Sequence, residues 1–276
     1  MADIYGSHFE YGGLSSRMYD LVFVSLDTER WTKLAGTSES VTMYNRGANR
    51  AYIIGDDHTS SPVAIDAEIT TESCRCLNVY EQRKIEKWLF GYKNYRRLYF
   101  DMADDPDSEM YEIIDGKIYR HYLNCRMINP ERIEGNGGVC GYRFQILCDS
   151  NMFWQDTHVY NFTIDSAAGM TTLITVPVDT DFLEYIYPKV RITAGSDGGD
   201  ITIVNNTDDS TRLTKFVSIP PHTTITMRGE TNYISGNYYE KLAARNFIRL
   251  LDGENKFTIL GDVRSIEFEY SPRRTL

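Results

Sequence analysis

Residues 62–72 alternate more cleanly than any other stretch: Val63, Ile65, Ala67 and Ile69 point one way, and Asp66, Glu68, Thr70 and Glu72 the other. A period of two marks an antiparallel strand with one wet face. The period then changes. Across residues 78–91 (NVYEQRKIEKWLFG), Ile85, Trp88 and Leu89 recur at helical spacing, while Arg83, Lys84, Glu86 and Lys87 fall on the wetter side. Asn78 is placed to cap the free N–H groups of the first turn, Glu81 completes a capping box, and Gly91 supplies a left-handed stop. Three turns of helix cannot bury a Trp unaided, so the stripe must lie on a sheet.

The neighbouring stretches supply that sheet. Residues 3–11 read as extended, with a turn at Gly12-Gly13, and residues 18–26 (MYDLVFVSL) as a strand. Leu21 and Phe23 on one face, with Val22, Val24 and Leu26 on the other, place that strand centrally, covered on both sides. Strands are predicted near 41–45, 50–54 and 95–102, and Asp115-Gly116 marks a tight hairpin between 110–114 and 117–128. A glycine-rich turn at 135–138 leads to a strand over 139–148. The pattern pauses around 150–157, which predicts two domains, 1–150 and 151–276. Beyond the pause, short strands recur at 158–164, 171–178, 187–193, 200–205, 212–219, 223–228, 256–260 and 263–270, the signature of a β-sandwich or jelly roll. Residues 238–251 (YYEKLAARNFIRLL) carry helical spacing among these strands and read equally as helix or irregular loop.

Composition narrows the function. The net charge is −10, and both halves are acidic, with 17 basic and 23 acidic side chains in 1–150 and 12 and 16 in 151–276. That balance disfavours a module that coats nucleic acid or anionic membranes. No apolar run reaches membrane-spanning length and residues 1–20 lack a secretory signal, so a soluble protein made in a cytoplasm is expected. Five cysteines (74, 76, 125, 140, 148) without CxxC spacing suit buried or half-buried free thiols, with Cys74 and Cys76 on one strand face.

Motifs of chemistry are sparse. Phosphate loops, the GxSxG elbow and metal-spaced His/Cys pairs are missing from the sequence, so no catalytic residue, metal or cofactor is expected. Glu267 and Glu269 share a strand face and Asp181 and Glu184 lie close, but adjacent carboxylates ordinarily form a solvated face. The cluster Asp101, Asp104, Asp105, Asp107 and Glu109 reads as an exposed acidic loop before a calcium site, lacking the central Gly of an EF-hand. Tyr233, Tyr238 and Tyr239 are candidates for stacking on sugar rings. A β protein without a catalytic constellation more often binds or builds than reacts.

Several features in order resemble the distal tail (Dit) family, the baseplate hubs of long-tailed phages and related prophages. They are Phe9-Glu10-Tyr11-Gly12-Gly13 before an apolar strand, the capped helix with Trp88-Leu89 leading to Leu98-Tyr99-Phe100, and the Asp115-Gly116 hairpin. The stretch Phe144 to Trp154, Tyr187-Pro188, Leu251 to Asn255 (LDGEN) and Glu269 to Arg273 (EYSPR) complete the series. The resemblance implies a mainly β chain with an N-terminal tail-tube-like β-sandwich or barrel bearing one α-helix, and a C-terminal galectin-like β-sandwich. It further implies a virion component at the tail tip, a homo-hexameric ring joining the major tail (tube) protein to the tail-tip, or tail-associated, protein. DNA would pass through the lumen without specific binding, the acidic loop facing it, and a receptor-binding protein would attach peripherally. One departure stands out: Arg274 follows Pro-Arg where the family usually carries an aromatic. A carbohydrate-binding module of the adsorption apparatus is the alternative reading, and a glycoside hydrolase acting through Glu267 and Glu269 the third.

Overall fold

The computed structural model describes residues 7–26, 39–44, 51–57, 63–101, 110–135, 137–150, 152–164, 171–182 and 185–274. The chain is mainly β, with antiparallel sheets and a single α-helix among the described residues, and it divides into two compact units, 1–154 (with 275–276) and 155–274.

In the first unit the strands are β1 (His8–Tyr11), β2 (Leu14–Ser15), β3 (Leu21–Leu26), β4 (Glu39–Tyr44), β5 (Ala51–Asp57) and β6 (Val63–Thr71). Helix α1 (Val79–Phe90) follows, then β7 (Arg96–Asp101), β8 (Tyr111–Ile114), β9 (Lys117–Gly135) and β10 (Gly138–Cys148). The main sheet runs β2-β1-β7-β9-β10-β6-β3, β8 pairs with β9, and β4 and β5 form a separate ribbon. The hairpin at Asp115-Gly116 has both central residues at positive φ, 52° and 76°, the conformation that matches the twist of tightly joined strands. In β6, Ile65, Ala67 and Ile69 are buried as the alternation requires.

Helix α1 starts as its sequence dictates. The Asn78 side chain accepts from the N–H groups of Tyr80 and Glu81, and Glu81 accepts in return from the Asn78 N–H. Ile85, Trp88 and Leu89 are its buried residues and pack into the same core as Phe9, Phe23 and Tyr142. The Trp88 ring stacks on Phe9 with centroids 5.8 Å apart, and its Nε1–H donates to the Tyr11 carbonyl at 2.9 Å. Gly91 ends the helix differently from the expectation: its φ is −78°, not left-handed. Space is the reason for glycine, since a Cβ at Gly91 would lie 2.3 Å from the Lys87 carbonyl oxygen.

Two other expectations are corrected here. Strand β3 ends the sheet path instead of lying at its centre, and Val24 is exposed. A bulge between Phe23 and Ser25 leaves Val24 outside the register and brings Leu26 opposite Ala67, while before it Leu21, Val22 and Phe23 are all buried, so cover on both faces holds only over the first part of the strand. The sheet also curls, since the Phe23 N–H donates to the Ser7 carbonyl beside β1. Cys74 and Cys76 lie in the turn after β6, not on a strand, and both are exposed, because Cys74 takes a left-handed φ of 51° that ends the strand.

After the short strand β11 (Phe153–Gln155), the second unit contains β12 (His158–Thr163), β13 (Thr171–Val178), β14 (Lys189–Ala194), β15 (Gly199–Asn205) and β16 (Leu213–Ile219). Then come β17 (Thr224–Arg228), β18 (Tyr233–Ile234), β19 (Leu242–Arg245), β20 (Gly253–Leu260), β21 (Val263–Tyr270) and β22 (Arg273–Arg274). Two five-stranded sheets, β12-β21-β14-β17-β18 and β13-β20-β15-β16-β19, enclose one apolar core that includes Ile192, Ile203, Phe216, Phe257 and Phe268. Residues 238–251 form no α-helix, and only 246–249 and 251 are irregular. Tyr238–Lys241 form a 3-10 turn, Leu242–Arg245 pair with β16, and Leu250 bridges Ile186. Edge pairing overrides the helical spacing, fixed by the Thr214 hydroxyl donating to the Asn246 carbonyl at 2.7 Å and the Asn246 amide donating to Leu213 at 3.2 Å.

Candidate functional site

The outer face of β12-β21-β14-β17-β18 gathers charged and polar side chains from distant parts of the sequence, Lys189 and Glu269 being 80 residues apart. Alternation in each strand sends Val190, Ile192, Ile266 and Phe268 into the core, so their neighbours face out. Register then aligns them. One row crosses the sheet as Val159, Glu269, Lys189, Arg228 and Tyr233, and the next as Asn161, Glu267, Arg191 and Thr226. The third row holds only threonines and a serine.

Within these rows Glu269 accepts from Lys189, and Glu267 accepts from Arg191 at 2.6 Å. The two glutamates considered for acid–base chemistry are thus each held by a cation on the adjacent strand, an ion-pair ladder in place of a catalytic dyad. Arg228 lies over the Tyr233 ring at 6.0 Å. Sequence reasoning misses Lys189, Arg191 and Arg228. The signal for two of them is present, because Lys-x-Arg at 189 and 191 mirrors Glu-x-Glu at 267 and 269 with the same period.

The structure separates the three tyrosines. Tyr233 ends the ladder on β18 and is 49% exposed, Tyr238 is half-buried against the core, and Tyr239 stands on the 3-10 turn at the opposite sheet's edge strands. Asp181 meets Arg274 at 3.7 Å, while Glu184 lies outside the described residues. Asp101 ends β7, and Asp104, Asp105, Asp107 and Glu109 also lie outside them.

In the first unit a cleft of about 400 Å³ opens between the β8–β9 hairpin and strands β1 and β7, lined by Phe9, Tyr99, Phe100, Met110, Ile113 and Ile118. Arg120 spans it, over the Tyr99 ring at 3.9 Å and bonded to Glu10 at 3.1 Å. Ile113 and Ile118 at the hairpin tip are 63% and 58% exposed. Val79 and Tyr80, in the first turn of α1, are more exposed still. Burial pushes the Cys148 thiol up to about 12 and raises Cys125 strongly, which leaves both as unreactive thiols. Among the described residues no group of three or more His, Cys, Asp and Glu is placed to hold a metal ion, and no helix is long and apolar enough to cross a membrane.

The motifs that carried the resemblance have structural work to do. Asn255 of the LDGEN segment is fully buried, accepting from the Leu251 N–H and the Asn205 amide at 2.9 Å each and donating to the Leu251 carbonyl at 2.8 Å. In EYSPR, the Tyr270 hydroxyl donates to the Pro177 carbonyl, and the Arg273 N–H donates to the Thr180 hydroxyl. Arg274, the departure from the resemblance, is buried and donates to both carboxylate oxygens of Asp179, at 3.0 and 2.8 Å.

Comparison with known proteins follows the same two parts. Residues 4–150 match the model of a phage tail protein N-terminal domain, and residues 153–270 that of a phage tail C-terminal domain. No curated protein matches the chain. Among solved structures it is similar to the Dit protein (gp 19.1) of phage SPP1, described as a paradigm of the hub adsorption apparatus in phages infecting Gram-positive bacteria. That likeness has a TM-score of 0.61 at 10% identity, covering 97% of this chain and 99% of that one. It is also similar to chains of the phage P2 baseplate in its activated conformation with Ca and with Sr, each with a TM-score of 0.52 at 9% identity, covering 98% of this chain and 99% of that one. At such identities the likeness is one of fold, and it extends over both units. By its domain models the chain belongs to the family of phage tail proteins.

Proposed function

We propose that this chain is the hub of a phage tail baseplate. Six copies close into a ring through the first domain, 1–150, which joins the last ring of the tail tube to the tail-tip protein. The second domain, 151–276, is a galectin-like sandwich that projects outward and carries peripheral adsorption components, receptor-binding protein among them. The observation that supports this best is a likeness to a Dit hub that runs through 97% of the chain, both units included. Exposed apolar side chains on the first unit, Ile113 and Ile118 at one hairpin tip and Val79 and Tyr80 at the helix start, fit a surface that other subunits cover.

The acidic stretch from Asp101 to Glu109 is assigned to the lumen, where carboxylates repel DNA phosphates and let the duplex slide. The chain acts as scaffold, not as enzyme. Negative-stain imaging of the purified chain mixed with its tube and tail-tip partners tests the reading, with six-fold rings expected. A strict monomer in the presence of both partners would overturn it.

A further inference from the structure

We propose that the free edge of β13 is a docking site for a second copy of this chain, whose own β13 adds to it antiparallel about a two-fold axis at Leu173. The edge strands of the sandwich are unequal. β18 and β19 hold two and four residues and β12 six, while β13 holds eight (TTLITVPV) without a charged side chain. Its pairing with β20 runs without a bulge from Thr171 opposite Leu260 to Val178 opposite Gly253. Long edges are ordinarily blunted by lysine, by a bulge or by proline, and this one carries only Pro177, near its end.

Alternation decides which backbone groups point outward. In an antiparallel ladder each residue sends its N–H and C=O to one side, and successive residues send theirs to opposite sides. The Asn206 N–H donates to the Lys256 carbonyl, so Lys256, Thr258 and Leu260 turn toward β15, and Asn255, Phe257 and Ile259 toward β13. Their partners on β13 are Val176, Ile174 and Thr172, which leaves Thr171, Leu173, Thr175 and Pro177 facing away from the sheet. Pro177 agrees, having no N–H for a ladder and lending its carbonyl to the Tyr270 hydroxyl. Among the described residues nothing pairs with the N–H and C=O groups of the other three.

Those three residues match their own copy. With Leu173 opposite Leu173, Thr171 meets Thr175, and the N–H and C=O of all three find partners. A shift in one direction brings Pro177 opposite Thr171 or Leu173, where it has no N–H to give and a carbonyl already engaged. A shift in the other runs Thr175 past the start of the strand. The register also preserves the faces: Ile174 meets Thr172 on the core side, and Leu173 meets itself outside. At 73% exposure Leu173 is the barest large apolar side chain among the described residues, and an uncharged strand meets no like charge in its copy. A two-fold contact uses the same patch on both partners, whereas contacts around a closed ring run head to tail, so this one links a free copy, or a whole ring, to another. Three residue pairs bury far less than the roughly 1,200 Å² of a stable complex, so the association is weak and concentration-dependent.

Sedimentation velocity of the full chain between about 10 μM and about 1 mM is expected to show a reversible doubling of mass, of the free chain or of its ring. Leu173→Lys should weaken the doubling about tenfold or more, as should Thr175→Pro, which removes an N–H that β20 does not use, while Val159→Lys on β12 leaves it unchanged. Thermal melts confirm that each variant is folded. Leu173→Cys should cross-link to its counterpart on mild oxidation, the Cα spacing of such a pair, about 5.5 Å, being that of a disulfide. Peptide mapping separates that link from any through Cys74 or Cys76. The proposal is overturned if no doubling occurs at about 1 mM, if folded Leu173→Lys and Thr175→Pro associate as the parent does, or if Val159→Lys abolishes association. Six-fold rings formed with the tube and tail-tip partners should survive Leu173→Lys, so the fate of this contact and of the hub assignment are read separately.

Discussion

The two units solve the same problem, covering β-sheet, with opposite materials. The first uses aromatic rings and one helix: Phe9, Phe23, Phe100 and Trp88 form a continuous chain of ring contacts, and the helix brings its own Trp to the sheet. The second is a sandwich with a largely aliphatic core whose loops are tied by buried polar side chains. Gln155, His158, Thr180, Asn205, Thr214, Asn255, Asp262 and Arg274 are all buried there, against Ser16, Thr71, His121 and Ser150 in the first unit. A helix laid on a sheet closes one face in a single stroke. A sandwich already has both faces, so its weak points are the connections between strands, and polar staples are placed there.

The largest effect should come from breaking the aromatic lock. Trp88→Ala removes a 6%-exposed ring, its stack on Phe9 and its bond to the Tyr11 carbonyl, and should cost about 3–5 kcal/mol. Urea unfolding should show the loss in the transition of the first unit and leave that of the second in place. Equal loss in both would show that the units do not differ in the way described.

The complementary change is Asn255→Ala. It leaves the Leu251 N–H and carbonyl without their partner and the Asn205 amide with the Arg249 carbonyl alone, each lost bond worth about 1–3 kcal/mol when buried. The second unit's transition should fall by several kcal/mol while the first stays, and a change within error would mean that the staple is decorative. Asp262→Ala is the milder version. Its carboxylate accepts from the Asp197 and Gly198 N–H groups at 2.6 and 2.7 Å in a loop nearer solvent, so about 1–3 kcal/mol is expected from thermal melts.

This division also explains what can be read from the sequence. Period-two and helical patterning locates the strands of both units and the capped helix, because Asn78, Glu81 and the Ile85-Trp88-Leu89 stripe are local signals. The patterning fails where a single extra residue or a distant partner decides the outcome. The bulge at Val24 reverses the faces of β3, and pairing with β16 draws Leu242–Arg245 out of helical spacing into a strand. The same limit hides the ladder. Glu267 and Glu269 are visible as a pair, but the cations that hold them come from β14, and only register brings Lys189 and Arg191 opposite. Tyr233 stands close to Tyr238 and Tyr239 in the chain, yet neighbours in sequence are not neighbours in a sandwich, and they separate onto different parts of it.

The smallest effect tests the most exposed of the second unit's ties. The Arg274 guanidinium, itself buried, holds the Asp179 carboxyl below the usual carboxylate range chiefly through their hydrogen bonds. A carboxylate whose pKa is lowered on folding stabilises the fold above its unfolded value, near 3.8, and that contribution is lost as pH falls through the lowered folded value. Because the Asp179 side chain is 79% exposed, solvent screens the pair, and Asp179→Asn should cost no more than about 1 kcal/mol at neutral pH. The gap between the melting temperatures of parent and variant should therefore be modest at pH 7 and close on acidification below 3.8. A gap that stays constant across that range would show that the Asp179→Asn variant differs by packing and not by charge, and that Arg274 is held by Asp181 and its buried stem instead.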